Sequence, residues 1–169
     1  RRTPGEARYQ KDGWLNLTDT EDGDENKAIM WRVVLPAGDT AVTGASIVDE
    51  APAGSRWSFD CDTVKDYTKT HTFIVTDPTT SEGLRRDKDT SNGAFGAAAQ
   101  IECTPTKVTV KLGEIPAHQS AIIMLPARVE GAKRASDIVG EFSNTVTYNV
   151  PGETVDPITK VLWYGASAD

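Results

Sequence analysis

The stretch "EFSNTVTYNV" (141–150) has the alternation of a β-strand, with one residue out of place. Phe142, Val146 and Tyr148 are two residues apart and should share the buried face of a pleated strand. Asn144 falls on the same face. Because a side-chain amide costs free energy to bury unless a partner satisfies it, the pattern predicts a polar partner for Asn144 inside the protein.

The same alternation recurs along the chain and predicts an all-β fold. It is clear in "IMWRVVL" (29–35) and "KVTVKL" (107–112), and no stretch keeps an apolar stripe at helical spacing for three turns. Further strand candidates, separated by turn signals, are 13–18, 44–49, 55–60, 71–76, 97–103, 120–128, 141–149 and 158–165. About ten short strands at this spacing are typical of a two-sheet, immunoglobulin-like β-sandwich.

Length and charge narrow the class of protein. The 169 residues fit a single domain, 1–169, with a core of its own. A net charge of -7 argues against a nucleic-acid or membrane-surface partner, since phosphate binding needs clustered Lys and Arg. The longest apolar run, "AIIML" (121–125), is too short to insert into a bilayer. The sequence begins without a signal peptide, so we expect either an intracellular chain or part of a longer secreted protein.

Two more polar residues occupy positions that favour burial. In "ARYQKDGWLNL" (7–17), Lys11 has the parity of the apolar residues, and Asp49 does so in "GASIVDEAP" (44–52). Each has an ordinary explanation alone: lysines extend to the surface, an aspartate often caps a turn, and an asparagine can bond to a loop. Together with Asn144 they predict either a buried ion pair hydrogen-bonded to the amide or a covalent cross-link.

An amine, a carboxyl and a carboxamide are the reagents of an intramolecular isopeptide bond. Burial lowers the pKa of a lysine and leaves a neutral, nucleophilic amine. A buried aspartate is pushed toward its protonated form, so Asp49 can donate to the carbonyl oxygen of Asn144 and carry the proton to the departing ammonia. We therefore favour a Lys11–Asn144 isopeptide bond promoted by Asp49.

The order of the motifs resembles a known family of bacterial domains. "YQKDGW", "IMWRVVLPAG", "ASIVDEAP", "VKLGEIPAHQSAIIMLPARV" and "FSNTVTYNV" resemble the immunoglobulin-like stalk domains of Gram-positive surface adhesins and pilins, in particular those similar to the A-region of collagen adhesin. In that family an early lysine, an aspartate in a turn motif and an asparagine in a late strand form a spontaneous isopeptide bond. By position these match Lys11, Asp49 and Asn144.

The resemblance implies a function and a location. The domain would be a stalk or spacer of a cell-wall-anchored, extracellular adhesin, with 1–6 and 165–169 as linkers to adjacent domains of the same protein. The alternative is a ligand-binding adhesin domain that recognises a host protein or glycan through loops such as 77–96. A secreted enzyme or inhibitor is the third class, but we find no nucleophile–base pair or metal cluster. We expect no enzyme activity beyond the self-directed bond, no cofactor and no metal.

Three further features of the sequence allow predictions. Cys61 and Cys103 are either two buried free thiols or a disulfide, and the extracellular setting favours the disulfide, although the pair is not general to the family. The acidic "TDTEDGDEN" (18–26) lacks an EF-hand pattern and is predicted to be a solvated hairpin tip rather than a calcium site. The glycine-containing "NGAFGAAAQ" (92–100) is predicted to be a mobile loop.

Overall fold

Two antiparallel sheets pack face to face in the computed structural model, which describes residues 7–76 and 81–165. The strands are β1 (Gln10–Leu15), β2 (Ile29–Pro36), β3 (Ser46–Glu50), β4 (Thr72–Thr76), β5 (Gln100–Thr104), β6 (Lys107–Lys111), β7 (Gln119–Ala127), β8 (Gly140–Asn149) and β9 (Ile158–Tyr164). The first sheet has the order β1-β2-β7-β4, and the second has the order β5-β6-β3-β8-β9. The predicted all-β sandwich is confirmed. Of the predicted linkers 1–6 and 165–169, the structure describes only residue 165, and the remaining residues lie outside the described ranges.

The alternation that predicts the strands also builds the core. Inward-facing side chains from both sheets form one continuous apolar cluster, as expected for stacked sheets about 10 Å apart. Its largest fully buried members are Trp31, Trp57, Phe142, Ile29, Leu35, Ile47, Ile115, Ile123, Leu125 and Ile138. A second, smaller cluster contains Val34, Phe73, Val75, Leu84 and Ile122. In β8 the odd-numbered side chains face outward and the even-numbered ones inward, Asn144 included.

The predicted strand 55–60 is wrong as a ladder strand, although its alternation is real. Trp57 and Phe59 are buried, as the alternation requires. The segment forms one isolated β-bridge, in which Ser58 and Arg128 exchange both hydrogen bonds, and a backbone hydrogen bond from Phe59 to Pro105. The segment therefore inserts two aromatic side chains into the core without extending a sheet.

The sequence pattern missed a helix, α1 (Cys61–Thr70). Its N-cap is Asp60, whose carboxylate accepts a hydrogen bond from the Thr63 backbone N–H. Its fully buried residues are only Val64 and Thr68. A stripe of two buried residues is too short to stand out as helical periodicity in the sequence. The helix packs against β7, and such tertiary packing supplies most of the stability of short helices in proteins.

The predicted mobile loop at 92–100 contains a second short helix, α2 (Ala94–Ala98). Phe95 is buried in the core, and Gly96 lies so close to α1 and β4 that an added Cβ would collide with the carbonyl oxygens of Lys69 and Thr72. The glycine thus allows two backbones to approach. Within 7–76 and 81–165, no helix is long and apolar enough to cross a bilayer.

Candidate functional site

The structure brings the three predicted polar residues together at one point in the core. Lys11 comes from β1 in the first sheet, whereas Asp49 on β3 and Asn144 on β8 come from the second. The residues are 5%, 0% and 0% exposed, respectively. A group made from three strands and both sheets is positioned by the fold as a whole.

The Asp49 carboxylate bridges the other two side chains. The Lys11 Nζ donates to Asp49 Oδ1 at 2.8 Å, and the Asn144 Nδ2 donates to Asp49 Oδ2 at 2.7 Å. In the β3–β8 ladder Asp49 is opposite Val146, so Asn144 is its diagonal neighbour on the same face. The strand register thus fixes the separation of carboxyl and amide, and Lys11 reaches them across the sandwich.

Burial shifts both ionisable groups toward their neutral forms. Loss of hydration lowers the pKa of Lys11, and the Asp49 carboxylate opposes that shift. Loss of hydration likewise raises the pKa of Asp49, against the effects of Lys11 and the Asn144 amide. The proton can pass from the amine to the carboxyl within the pair, which yields a neutral amine without exchange with solvent.

The amide of Asn144 is oriented differently from the sequence-based expectation. Its nitrogen, rather than its carbonyl oxygen, faces Asp49, and among the described residues its buried Oδ1 has no hydrogen-bond partner. The oxygen and nitrogen of an amide are assigned from the hydrogen-bond pattern. A half-turn of the amide would place Oδ1 against Asp49, where a protonated carboxyl would donate to it and the orphaned oxygen would be satisfied.

Aromatic rings that the sequence-based argument overlooked enclose these groups. The Lys11 Nζ lies 5.2 Å from the centroid of the fully buried Trp31 ring, and Trp57 packs against Trp31 at 5.5 Å. Tyr148, on the same face of β8 as Asn144, is also buried. The alternation of the sequence did indicate that Trp31 and Tyr148 face inward on β2 and β8, just as it placed Lys11 and Asn144 on the inward faces of β1 and β8. For Trp57 no pattern indicated a contact with this site.

A disulfide joins Cys61 and Cys103, as predicted, with a Cα–Cα separation of 5.6 Å. It connects the first residue of α1 to β5, an edge strand of the second sheet. The closed loop corresponds to about 4 kcal/mol of stabilisation in the chain-entropy model. It is remote in sequence from Lys11 and Asn144 and lies between them along the chain.

The acidic segment 18–26 lies in the connection between β1 and β2, and two of its carboxylates form ion pairs with arginines. Arg128 contacts Glu25 at 2.6 Å and Arg134 contacts Asp22 at 2.8 Å. These contacts pin the segment to the chain that follows β7. In the part of the chain that the structure describes, no group of three or more His, Cys, Asp or Glu side chains is arranged to hold a metal ion.

Comparison with known proteins bears on the fold. No protein-family model and no curated protein sequence matches the chain. Among solved structures, the collagen-binding subdomain of the Enterococcus faecalis surface protein ACE is 15% identical with a TM-score of 0.46, over 96% of this chain and 95% of that one. The collagen-binding domain from a Staphylococcus aureus adhesin is 14% identical with a TM-score of 0.49, over 92% and 97%.

A third structure superposes with a higher TM-score. It is described as manganese lipoxygenase of Gaeumannomyces graminis with a partial structure of zonadhesin of Komagataella pastoris. The TM-score is 0.56 at 13% identity, over 93% of this chain and 47% of that one. At this identity the likeness concerns the fold alone.

Proposed function

We propose that the chain is a structural stalk or spacer domain of an extracellular, cell-wall-anchored adhesin, stapled by an isopeptide bond between Lys11 and Asn144. The observation that carries the proposal is the Asp49 carboxyl, which contacts both reacting groups at 2.8 and 2.7 Å in a buried site. The motif order resembles that of adhesin stalk domains. The disulfide adds support, since such bonds persist in oxidising compartments outside the cytosol.

The reaction balances within the three side chains. The neutral Lys11 amine attacks the Asn144 Cγ, so that an Nζ–Cγ bond forms and the carbonyl electrons move to Oδ1. Asp49 takes a proton from Nζ and delivers one to Nδ2. The Cγ–Nδ2 bond then breaks and ammonia leaves, which gives an amide and returns Asp49 to its starting state.

The fold itself orients the reacting groups, a task that a separate enzyme would otherwise perform. Separate strands hold both reacting groups against the Asp49 carboxyl, so the step is intramolecular and much of the ordering is already supplied by the fold. No external substrate enters the reaction, and the domain acts once on itself. The product joins β1 of the first sheet to β8 of the second.

The mass of the intact chain tests this proposal. After reduction of the disulfide, the folded protein should weigh one ammonia less than its sequence, and digestion should release a branched peptide that contains both Lys11 and Asn144. Reduction matters because a disulfide itself removes two hydrogens. A reduced protein of full sequence mass would show that the bond does not form.

A ligand-binding domain is the second candidate, and exposed apolar side chains favour it. Trp163 on β9 is 70% exposed, and Val161 and Val139 nearby are also exposed. The predicted binding loop 77–96 falls partly outside the described residues, at 77–80. Arrays of host proteins and glycans, probed with the wild type and with Trp163→Ser, separate the two roles. A spacer should bind nothing, whereas a binding face at β9 should give a signal that Trp163→Ser abolishes.

A further inference from the structure

Two buried aromatic side chains donate hydrogen bonds to the backbone immediately before each reacting residue. The Trp57 Nε1 donates to the Ser143 carbonyl at 2.8 Å, one residue before Asn144. The Tyr148 hydroxyl donates to the Gln10 carbonyl at 3.0 Å, one residue before Lys11. We infer that Trp57 and Tyr148 are positioning residues for the Lys11–Asn144 bond, an inference that rests on the proposed function.

Trp57 supports β8 where its neighbouring strand has ended. The β3–β8 ladder stops at the pair Glu50–Thr145, so the backbone around Asn144 has β9 on one side and no ladder strand on the other. The Trp57 indole fills that open side and supplies the missing hydrogen bond through Ser143. Without it, the part of β8 that carries the electrophile would be held by one neighbour only.

The same indole reaches the side of the nucleophile. Trp57 packs on Trp31 with ring centroids 5.5 Å apart, and Trp31 in turn lies 5.2 Å from the Lys11 Nζ. Trp57 is itself 2% exposed, and the Ser58–Arg128 bridge next to it anchors its backbone. The Trp31–Trp57 pair therefore contacts both sides of the site. Trp31 lies beside the Lys11 amine, and Trp57 holds the strand that carries Asn144.

Tyr148 performs the corresponding task for β1. Its hydroxyl lies at 3.0 Å from the Gln10 carbonyl and 3.1 Å from the Val34 carbonyl, and these two residues are partners in the β1–β2 ladder. The bond crosses from the second sheet to the first. Burial raises the pKa of Tyr148, which keeps its hydroxyl protonated and able to donate. The edge strand β1 is thus tied to the strand that carries Asn144.

Positioning of this kind should govern the rate of bond formation. An error of about 1 Å in the approach of two reacting groups can cost about 100-fold in rate. In the structure neither Trp57 nor Tyr148 hydrogen-bonds to Nζ, the Asn144 amide or the Asp49 carboxyl, so their effect acts through the backbones of Ser143 and Gln10.

The test measures the rate of ammonia loss in molecules that have just folded. Newly synthesised chains are transferred directly into denaturant, so that none has folded, and are then refolded by dilution. Samples are quenched at intervals, reduced and analysed by mass spectrometry, while circular dichroism follows folding in parallel. Trp57→Phe and Tyr148→Phe each remove a donor and keep an aromatic ring. Matched controls are Trp163→Phe, at an exposed tryptophan of β9, and Tyr164→Phe, whose hydroxyl shares a hydrogen bond with the Leu15 backbone farther along β1.

We expect folded but unlinked molecules of Trp57→Phe and Tyr148→Phe to accumulate and to link at least about tenfold more slowly than wild type, while both controls link at the wild-type rate. A purely structural role would lower the folded fraction without slowing bond formation in the molecules that fold. Bond formation at the wild-type rate in both folded variants would overturn the inference and leave the proposed function intact.

The two donors are independent, so if one variant does not fold the other decides. Failure of the wild type to lose ammonia would overturn the proposed function and this inference with it.

Discussion

Gly13 lies opposite Trp31 in the β1–β2 ladder, and the Trp31 ring occupies the space that a Cβ at Gly13 would need. Trp31 is fully buried and lies against both Trp57 and the amine of Lys11, so its ring cannot shift without disturbing this packing. Trp31 can therefore occupy its position beside the site only because residue 13 of β1 is a glycine.

Gly13→Ala should consequently lower stability and slow the cross-link. We expect the free energy of unfolding to fall by about 1–3 kcal/mol, as in other overpacked cores, and the loss of ammonia to be delayed after refolding. Chemical denaturation in the Asn144→Ala background, where no link can form, measures the first effect. Gly113→Ala is the matched control, because an added Cβ there meets no atom within 4 Å. Equal stability of the two variants would contradict the packing argument.

Replacing Asp49 should leave both reacting groups in place but unjoined. In Asp49→Ala the carboxyl that relays the proton is gone, so the reduced chain should keep its full sequence mass. Lys11 would then be a buried amine without its partner, and stability should fall by about 3–5 kcal/mol beyond the loss of the link. The control is Glu50→Ala, an exposed neighbour on the opposite face of β3, which should still link fully. Loss of ammonia in Asp49→Ala would mean that another group relays the proton.

The pH dependence of stability reports on the buried amine. In Asp49→Asn burial acts on Lys11 without the opposing carboxylate, so its folded pKa lies well below the unfolded value of 10.5. Between these two values only the unfolded chain binds the proton. The free energy of unfolding of Asp49→Asn is therefore highest above pH 10.5. It decreases as the pH falls toward the folded pKa of Lys11, by up to about 1.4 kcal/mol per pH unit.

Denaturant titrations from about pH 7 to about pH 10 give this slope directly, with the linkage relation as the reference. The control is the double variant Lys11→Met/Asp49→Asn, which carries every other titrating group and lacks the amine. We expect a positive difference in slope between the two proteins. Parallel curves would show that the Lys11 amine is not desolvated in the folded state.

Residue parity predicted the strands and the faces of Lys11, Asp49 and Asn144, because in a strand burial alternates with a period of two. Parity assigns a face but not a partner, so it could not show that Lys11 belongs to the opposite sheet. Helix α1 was missed because its buried stripe is only Val64 and Thr68. The hydrogen bond from Trp57 to Ser143 was also missed, because it depends on where β3 ends, which residue parity does not show.

The cross-link should also determine how the domain responds to tension along the chain. A Lys11–Asn144 bond would carry force from β1 directly to β8, so that residues 12–143, including the Cys61–Cys103 loop, bear no load. The hydrogen bonds that would otherwise resist are worth only about 1 kcal/mol each in net terms. Beyond Asn144, β9 is an edge strand held by β8 alone in its sheet and can peel away. Extension of the wild type should then be limited to residues 145–165, about 70 Å when stretched.

Single-molecule pulling of three proteins separates these contributions. Wild type should show at most the short extension, whether or not the disulfide is reduced, because Cys61 and Cys103 lie inside the protected segment. In Asn144→Ala with the disulfide reduced, the whole described chain should extend, by about 500 Å. The same variant with the disulfide intact should extend less, because the residues between the two cysteines remain closed. A full-length step in the wild type would show that force passes through the sheets rather than through a covalent staple.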